Sequence, residues 1–395
     1  MEEIMGMALL EDAFGCQDVT SPKMRQAIRE WFRLYYDRNV REDYDPCLQI
    51  PYTVVRKLTR AVFSEYRTQC TGSCTGKILE GLNTCKSNAM ELMLIGGECY
   101  LKPVTDGNSW SFRVMGRQQV LVFGRDVMGN VTDIGTAERS SLGKYTYTLL
   151  ERRTLEQGRL VLRNRLFRSA SPDGLGREVS LHCHPGYAAL PERFVFPEKM
   201  EGIGLLRLKN PAVNCIDGGP EGISVYAPAV GLIRSLGRNE AELNGEFARG
   251  KSRIVVSADM LRDGILQDSI FVGLDEAPED VGITAFAPPL RTDAYFARKQ
   301  AYLRDLENII GLKRGILSQV EAIERTATEI TSSEGEYALA ILDFQRAWQQ
   351  LCLETVRVCR SLARCYGMET DEKPVDFFWG NGVLFDTPVQ GKEGK

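Results

Sequence analysis

Apolar positions follow a helical period at the start of the chain, a shorter alternation through its middle, and a helical period again towards its end. At Ser21-Pro22 a hydroxyl can cap a helix and a proline suits its first position. Met24, Ile28, Trp31, Phe32 and Tyr35 then recur at helical spacing, which predicts an amphipathic helix ending before Asn39. Pro51 opens a second, with Val54, Val55, Leu58, Ala61, Val62 and Tyr66 apolar, and Ile78, Leu79, Leu82 and Cys85 predict a third. From Leu92 to about Pro197 short alternating runs, such as Val120 to Phe123 and Tyr145 to Leu150, are broken by turn signals at Gly124, Met128-Gly129-Asn130 and Gly143. Leu160 to Phe167 and Glu178 to Leu181 keep that character, so a β-rich region of antiparallel hairpins is expected.

After Pro211 the helical signal returns in Ile223, Tyr226, Ala227, Val230, Ile233 and Leu236, with Pro228 positioned to start or kink the helix. A short strand is expected at Arg253 to Val256. The Gly- and Pro-punctuated acidic stretch from Ser257 to Pro289 reads as a compact insertion between helices. Tyr295, Phe296, Tyr302, Leu303, Leu306, Ile309 and Ile310 form one expected stripe that stops at Gly311. Lys313 to Arg325 is a punctuated link. A very long helix follows, with Leu339, Leu342, Ala347, Leu351, Val358 and Leu362 apolar to about Tyr366, before a strand-like Pro374 to Phe385 and a polar tail. The pattern contains no internal repeat, and the class is α+β.

Composition narrows the function. With 395 residues and 43% hydrophobic content, two to three packed domains are expected. Fifty-three acidic against forty-nine basic residues leave a formal charge of -4, which lacks the global basicity of an ordinary nucleic-acid binder. The start, Met1-Glu2-Glu3-Ile4, is acidic where a secretory signal is basic, and no apolar run approaches the roughly 18 residues that cross a bilayer. A soluble protein made in a cytoplasm, with its eleven cysteines mostly reduced, is the expectation.

Chemical motifs are weak. Gly72-Ser73-Cys74-Thr75-Gly76-Lys77-Ile78 has one residue too few between its glycines for a phosphate loop, and isoleucine where a magnesium-binding hydroxyl belongs. Cys70, Cys74 and Cys85 lack a paired zinc spacing, and His182-Cys183-His184 on a strand would alternate faces. No Gly-x-Ser-x-Gly occurs, and the two histidines are crowded together. Trp31, Phe32, Tyr35 and Tyr36 at helical spacing suit a core better than base stacking. Asp275, Glu276, Glu279 and Asp280 read first as a solvated acidic face, and Lys313 and Arg314 as charges beyond a helix end. No cofactor and no metal site is expected.

In this order, several segments resemble the portal proteins of tailed bacteriophages, closest to the group in siphophages of Gram-positive hosts. They are IREWFRLYY at 28–36, GGECYLKP at 96–103, LERRTLEQGRLVLRNRLFRS at 150–169, NPAVNCIDGGPEGISVYAPAVGLIRSL at 210–236, GEFARGKSRIVV at 245–256, RTDAYFARKQAYLRDLENIIGLKRGILS at 291–318, and most specifically RTATEI at 325–330. The resemblance spans most of the chain. It implies a ring of about twelve subunits at one capsid vertex, around a channel for double-stranded DNA. By this likeness 1–217 is the wing, helical and then β-rich, 218–250 the first stem helix, and 251–290 a small α/β clip. The second stem helix is 291–312, the tunnel loop 313–325, the long wing-crossing helix 326–366, and the last wing strand and tail 367–395.

The resemblance further implies a non-enzymatic virion component that passes DNA during packaging and ejection. Its expected partners are further copies of itself, the large terminase, a head-completion adaptor, and the major capsid and scaffolding proteins, with no membrane. Lys313, Arg314, Gln319 and Arg325 become candidates for the channel, Thr326, Thr328 and Glu329 for the junction of loop and long helix, and Asp275, Glu276, Glu279 and Asp280 for the clip's partner surface. A negative net charge suits a conduit, because each neutralised phosphate adds affinity and a heavily cationic lining would hold DNA in place. SLGRNEAEL at 235–243 lacks an aspartate common in the first stem helix, Gly380-Asn381-Gly382 replaces an expected acidic pair, and the crown is expected to be short or absent. Two alternatives stay open: a metal-dependent nucleic-acid-processing enzyme built on acidic clusters, and another ring-forming head-tail adaptor without the tunnel loop.

Overall fold

The computed structural model describes residues 10–36, 48–171, 174–200, 202–250, 253–257, 271–274, 284–286, 289–319 and 327–380. The chain divides into two compact units, Met1–Asp37 with Pro51–Pro228 and Glu334–Lys395, and Arg38–Ile50 with Ala229–Ser333. The fold is α+β. No described helix is long and apolar enough to cross a membrane.

The first unit begins with a helical turn at residues 10–14 that the apolar pattern did not announce. Helix α1, Pro22–Tyr36, starts as expected: Ser21 Oγ accepts from the Met24 amide at 3.1 Å. It buries Met24, Ile28, Trp31 and Phe32 while Tyr36 stays exposed, so these aromatics are mainly core. Helix α2, Ile50–Val62, leads through strand β1, Arg67–Gln69, to helix α3, Ser73–Gly96. The third helix therefore runs past Leu92, where strands were expected. Its last turn is apolar all round because it is enclosed on several sides, and such a run has no strong helical moment to distinguish it from a buried strand.

Gly97 ends α3 with a φ of 81°, and Gly222 packs against it so closely that a Cβ at Gly97 would lie 2.3 Å from the Gly222 carbonyl. Strands β2, Glu98–Thr105, and β3, Trp110–Gly116, form an antiparallel sheet completed by a later strand. Strands β4 (Val120–Arg125), β5 (Val131–Leu142), β6 (Tyr145–Glu156) and β7 (Arg159–Ser169) form an antiparallel meander. Gln157 and Gly158, both at positive φ, make the two-residue β6–β7 turn that matches strand twist.

Strand β8, Arg177–Val179, and strand β9, Arg193–Lys199, both pair with β7, at different heights along it. The expected strand through Leu181 stops at Val179, since residues Leu181–Cys183 turn into a 3-10 helix capped by Ser180. His182-Cys183-His184 consequently lies on a turn, where His184 stacks on Tyr187, rather than alternating along a strand. Strand β10, Leu206–Lys209, pairs with β2 to give the order β10-β2-β3.

Two buried ionic knots hold these sheets. Glu98 accepts from Tyr100 Oη at 3.0 Å, Arg207 Nε at 2.9 Å and the Gly222 amide at 3.2 Å, and pairs with Arg117 at 3.2 Å. Lys102 reaches Glu138 and Glu151, each at 2.9 Å, and Arg153 meets Glu151 at 2.7 Å. Burial alone would raise the pKa of Glu98 and of Glu151, but the neighbouring cations override it and bring these two down to about 2.

The second unit contains helix α4, Val230–Arg249, preceded by a 3-10 turn at Ala227–Ala229 where Pro228 stands. Strands β11 (Arg253–Ser257), β12 (Phe271–Leu274) and β13 (Thr284–Phe286) make a small sheet of order β12-β11-β13, with β11 parallel to β12 and antiparallel to β13. Helix α5, Thr292–Ile310, packs against α4. The single stripe expected on α5 divides. Leu303, Leu306 and Ile310 are buried; Ile309 lies on another side of the helix and is exposed, and Phe296, on the same side as Leu303 two turns earlier, is exposed because the buried stretch of α5 begins only at Leu303.

Helix α6, Ala327–Cys365, is 39 residues long. Its buried face in the first unit runs through Ile341, Phe344, Trp348, Leu351, Cys352 and Cys359, while Leu339 is exposed. Trp348 donates to Tyr66 Oη at 3.0 Å, and Gln345 donates to the Val62 carbonyl at the end of α2 at 3.3 Å. Strand β14, Asp376–Phe378, pairs antiparallel with β1 and closes the unit.

Candidate nucleic-acid interface

The residues that bear most on contact with a polyanion follow α5. Helix α5 ends in a glycine stop of the Schellman type. Gly311, with a φ of 76°, donates to the Asn308 carbonyl at 3.3 Å, and Leu312 donates to the Glu307 carbonyl at 2.8 Å. A tight turn succeeds it at once: the Ile316 amide donates to the Lys313 carbonyl at 3.2 Å, and Gly315 takes a φ of 91°. Positive φ at the third position is the signature of a type II turn, and it places Lys313 and Arg314 ahead of that glycine. Both cations are exposed, as is Gln319, while Leu312 and Ser318 on either side are buried.

The turn is tied down by a carboxylate absent from the expected site residues. Glu307, 1% exposed, accepts from the amides of Gly315 at 3.1 Å, Leu317 at 2.5 Å and Ser318 at 2.8 Å through Oε1, and from Ser318 Oγ at 2.7 Å through Oε2. Gln300 Oε1 accepts from the Gln319 amide at 2.8 Å. The signal for Glu307 was present in the sequence, since it lies at helical spacing with Leu303, Leu306 and Ile310 on the face that faces inward.

Charges along the hairpin of α4 and α5 are matched in register. Arg291 pairs with Glu246 at 2.9 Å, Arg298 with Glu242 at 3.4 Å and Lys299 with Glu240 at 3.0 Å. Asn239, fully buried, donates to the Tyr295 carbonyl at 3.2 Å. These pairs set which residues of the two helices lie opposite each other. Arg325, Thr326 and the acidic group Asp275, Glu276, Glu279 and Asp280 lie outside the described residues. Thr328 and Glu329 fall in the first turns of α6. Of the expected channel residues, Lys313, Arg314 and Gln319 are exposed on the segment that follows α5.

Two other candidates resolve into structural roles. Residues Gly72 to Ile78 begin α3, and their exposed amides are occupied by Asp371: its carboxylate accepts from Cys74 N at 2.7 Å, Thr75 N at 3.1 Å and Thr75 Oγ1 at 2.5 Å. Burial works to raise the Asp371 pKa, but these hydrogen bonds outweigh it and hold the group below the usual carboxylate range. A cleft of about 480 Å³ between β8 and β9 is lined by Phe14, Arg152, Arg163, Asn164, Arg165 and Arg193 among others. Arg152 is bound to Asp133, Arg163 to Glu156 and Arg165 to Glu178, so these cations tie neighbouring strands of the sheet to one another. Among the described residues no group of three or more His, Cys, Asp or Glu side chains is placed to hold a metal ion.

Fold and turn together define an α+β protein whose second unit is an ion-paired helical hairpin, with a small sheet between its helices in the chain and an exposed cationic turn beyond the second. No family model matches the chain, and no curated protein does. Among solved structures it is similar to a chain in the neck of the native GTA particle computed with C12 symmetry, at 14% identity and a TM-score of 0.47, over 98% of this chain and 91% of that one.

Proposed function

We propose that this chain is a portal protein of a tailed bacteriophage: a ring-forming subunit whose copies surround a channel for double-stranded DNA at one capsid vertex. The observation that carries the reading is the order of elements in the second unit, taken with the ordered sequence segments that resemble portals. An amphipathic helix, a small sheet, a second amphipathic helix matched to the first by ion pairs, and a cationic turn precede a 39-residue helix. In this reading α4 and α5 are the stem, β11 to β13 the clip, residues 313–325 the tunnel loop, and the first unit with most of α6 the wing. The exposed Phe296 and Ile309 on α5 suit burial against neighbouring copies.

The role is non-enzymatic. The ring accepts DNA driven by a separate packaging ATPase, the large terminase, and later carries a head-completion adaptor, with the acidic clip as the surface both would meet. Assembly against major capsid and scaffolding proteins and residence in the virion follow from the same reading. The narrower likeness to siphophages of Gram-positive hosts rests on the sequence segments alone.

Mass photometry of the purified protein, with negative-stain imaging, tests the proposal. A particle near twelve or thirteen times 44.3 kDa with an axial hole is expected. A protein that stays monomeric or dimeric at high concentration, and with its scaffolding partner present, would refute it. Charge reversal at Asp275, Glu276, Glu279 and Asp280 should leave rings intact and abolish packaging.

A further inference from the structure

Glu307 is an expensive residue to bury, and its partners show what it is for. An ionised carboxylate withdrawn from water is costly unless every lone pair finds a donor. Here four donors come from a stretch of four residues, Gly315 to Ser318, and they are three backbone amides and a hydroxyl. The carbonyl of the same residue accepts from Leu312. One residue thus grips both ends of the Lys313–Arg314 turn, through its main chain on one side and its side chain on the other. Gln300 holds the next amide, that of Gln319.

A turn fixed in this way does not behave like a loop that folds onto whatever it meets. Its backbone freedom is surrendered when the chain folds, so no ordering penalty remains at encounter. Its cations are also held to the positions that the anchored backbone allows, which limits how many phosphates each copy engages at once. We infer that Glu307 is a positioning residue that presents Lys313 and Arg314 as a preset cationic turn to the phosphate backbone of double-stranded DNA. This rests on the DNA-conduit reading above, and on no assumption about how many copies form the ring.

The test uses the full-length assembled protein in four forms: wild type, Glu307→Ala, Glu307→Gln, and the double substitution Lys313→Gln with Arg314→Gln. Hydrogen exchange by mass spectrometry follows peptides covering 312–319 and, as a folding control, 292–306. Affinity for a fluorescent linear DNA duplex is measured between 50 and 200 mM salt. In wild type the 312–319 amides should be protected. Glu307→Ala should lose that protection with the control peptides unchanged, and bind the duplex about three- to tenfold more weakly at fixed salt, with its salt dependence kept because both cations remain. Glu307→Gln, which retains an acceptor for the amides, should recover most of both. The double substitution should flatten log affinity against log salt by about two for each copy in contact.

Unprotected 312–319 amides in wild type would overturn the inference directly. If the double substitution flattens the salt dependence but Glu307→Ala binds like wild type, the inference falls and the DNA reading stands. If the double substitution leaves the salt dependence unchanged, the DNA reading of this turn falls and takes the inference with it.

Discussion

Replacing Glu98 with glutamine removes the charge at the centre of the first unit and almost nothing else. In the native protein the carboxylate is fully buried with Arg117, and it meets Arg207, Tyr100 and the Gly222 amide, so it joins β2, β10 and the segment that leads towards α4. Its pKa falls from an ordinary 4.5 to about 2 against the opposing effect of burial. A group whose folded pKa is depressed contributes stability above its unfolded pKa and loses it as pH falls towards the folded one. For Glu98 the whole contribution is in force above about pH 4.5 and drains away between there and about pH 2.

At 1.36 kcal/mol per pH unit the span amounts to about 3 kcal/mol, in line with the roughly 3–5 kcal/mol expected when one partner of a buried ion pair is lost. Urea denaturation of wild type and Glu98→Gln at pH 7, 5, 4 and 3 reads this difference. The gap should be about 3 kcal/mol at pH 7 and pH 5, and should narrow by about 2 kcal/mol at pH 3. A gap that is small at pH 7, or that stays constant to pH 3, would refute the argument: the first would mean that Arg117 and Arg207 find water or other acceptors, the second that the loss is one of packing and not of charge.

Ser21→Ala should cost about 1 kcal/mol in chemical denaturation, because the Met24 amide loses its cap; no change would mean that water replaces it. Asp371→Ala should destabilise by about 1–2 kcal/mol and speed amide exchange at Cys74 and Thr75, whereas exchange that stays slow there would show that α3 needs no anion at its start. On α6, Trp348→Ala should cost about 3–5 kcal/mol and Leu339→Ala under about 0.5 kcal/mol, since one is enclosed and the other exposed; equal costs would show that the helix buries a different face.

Local pattern was enough for the elements that a single period specifies. Ser21-Pro22 set the start of α1, Gly311 the end of α5, and the alternation about Gly143 the β5–β6 hairpin, because capping, glycine stops and two-residue turns are decided by a few neighbouring residues. The ordered segments carried the portal resemblance, and the link after Gly311 was visible as a break holding two cations. Which face of a helix is buried depends on what lies against it. For that reason Leu339 was assigned inward from spacing and stands opposite the buried face of α6, Phe296 shares the buried side of α5 but lies before the stretch that is covered, and the end of α3, enclosed on several sides, read as strand.

The groups that hold the architecture are those whose partners are remote or of the wrong kind to be seen in a pattern. Asp371 reaches the start of α3 from 296 residues away, and Glu98 meets Arg207 across 109. Glu307 is near its partners in sequence, but those partners are mainly backbone amides, which every residue but proline carries and no alphabet of side chains distinguishes. Sequence determined that a cationic turn follows α5; only the tertiary structure decided that a buried carboxylate holds it still, because that depends on where a folded backbone points its amides.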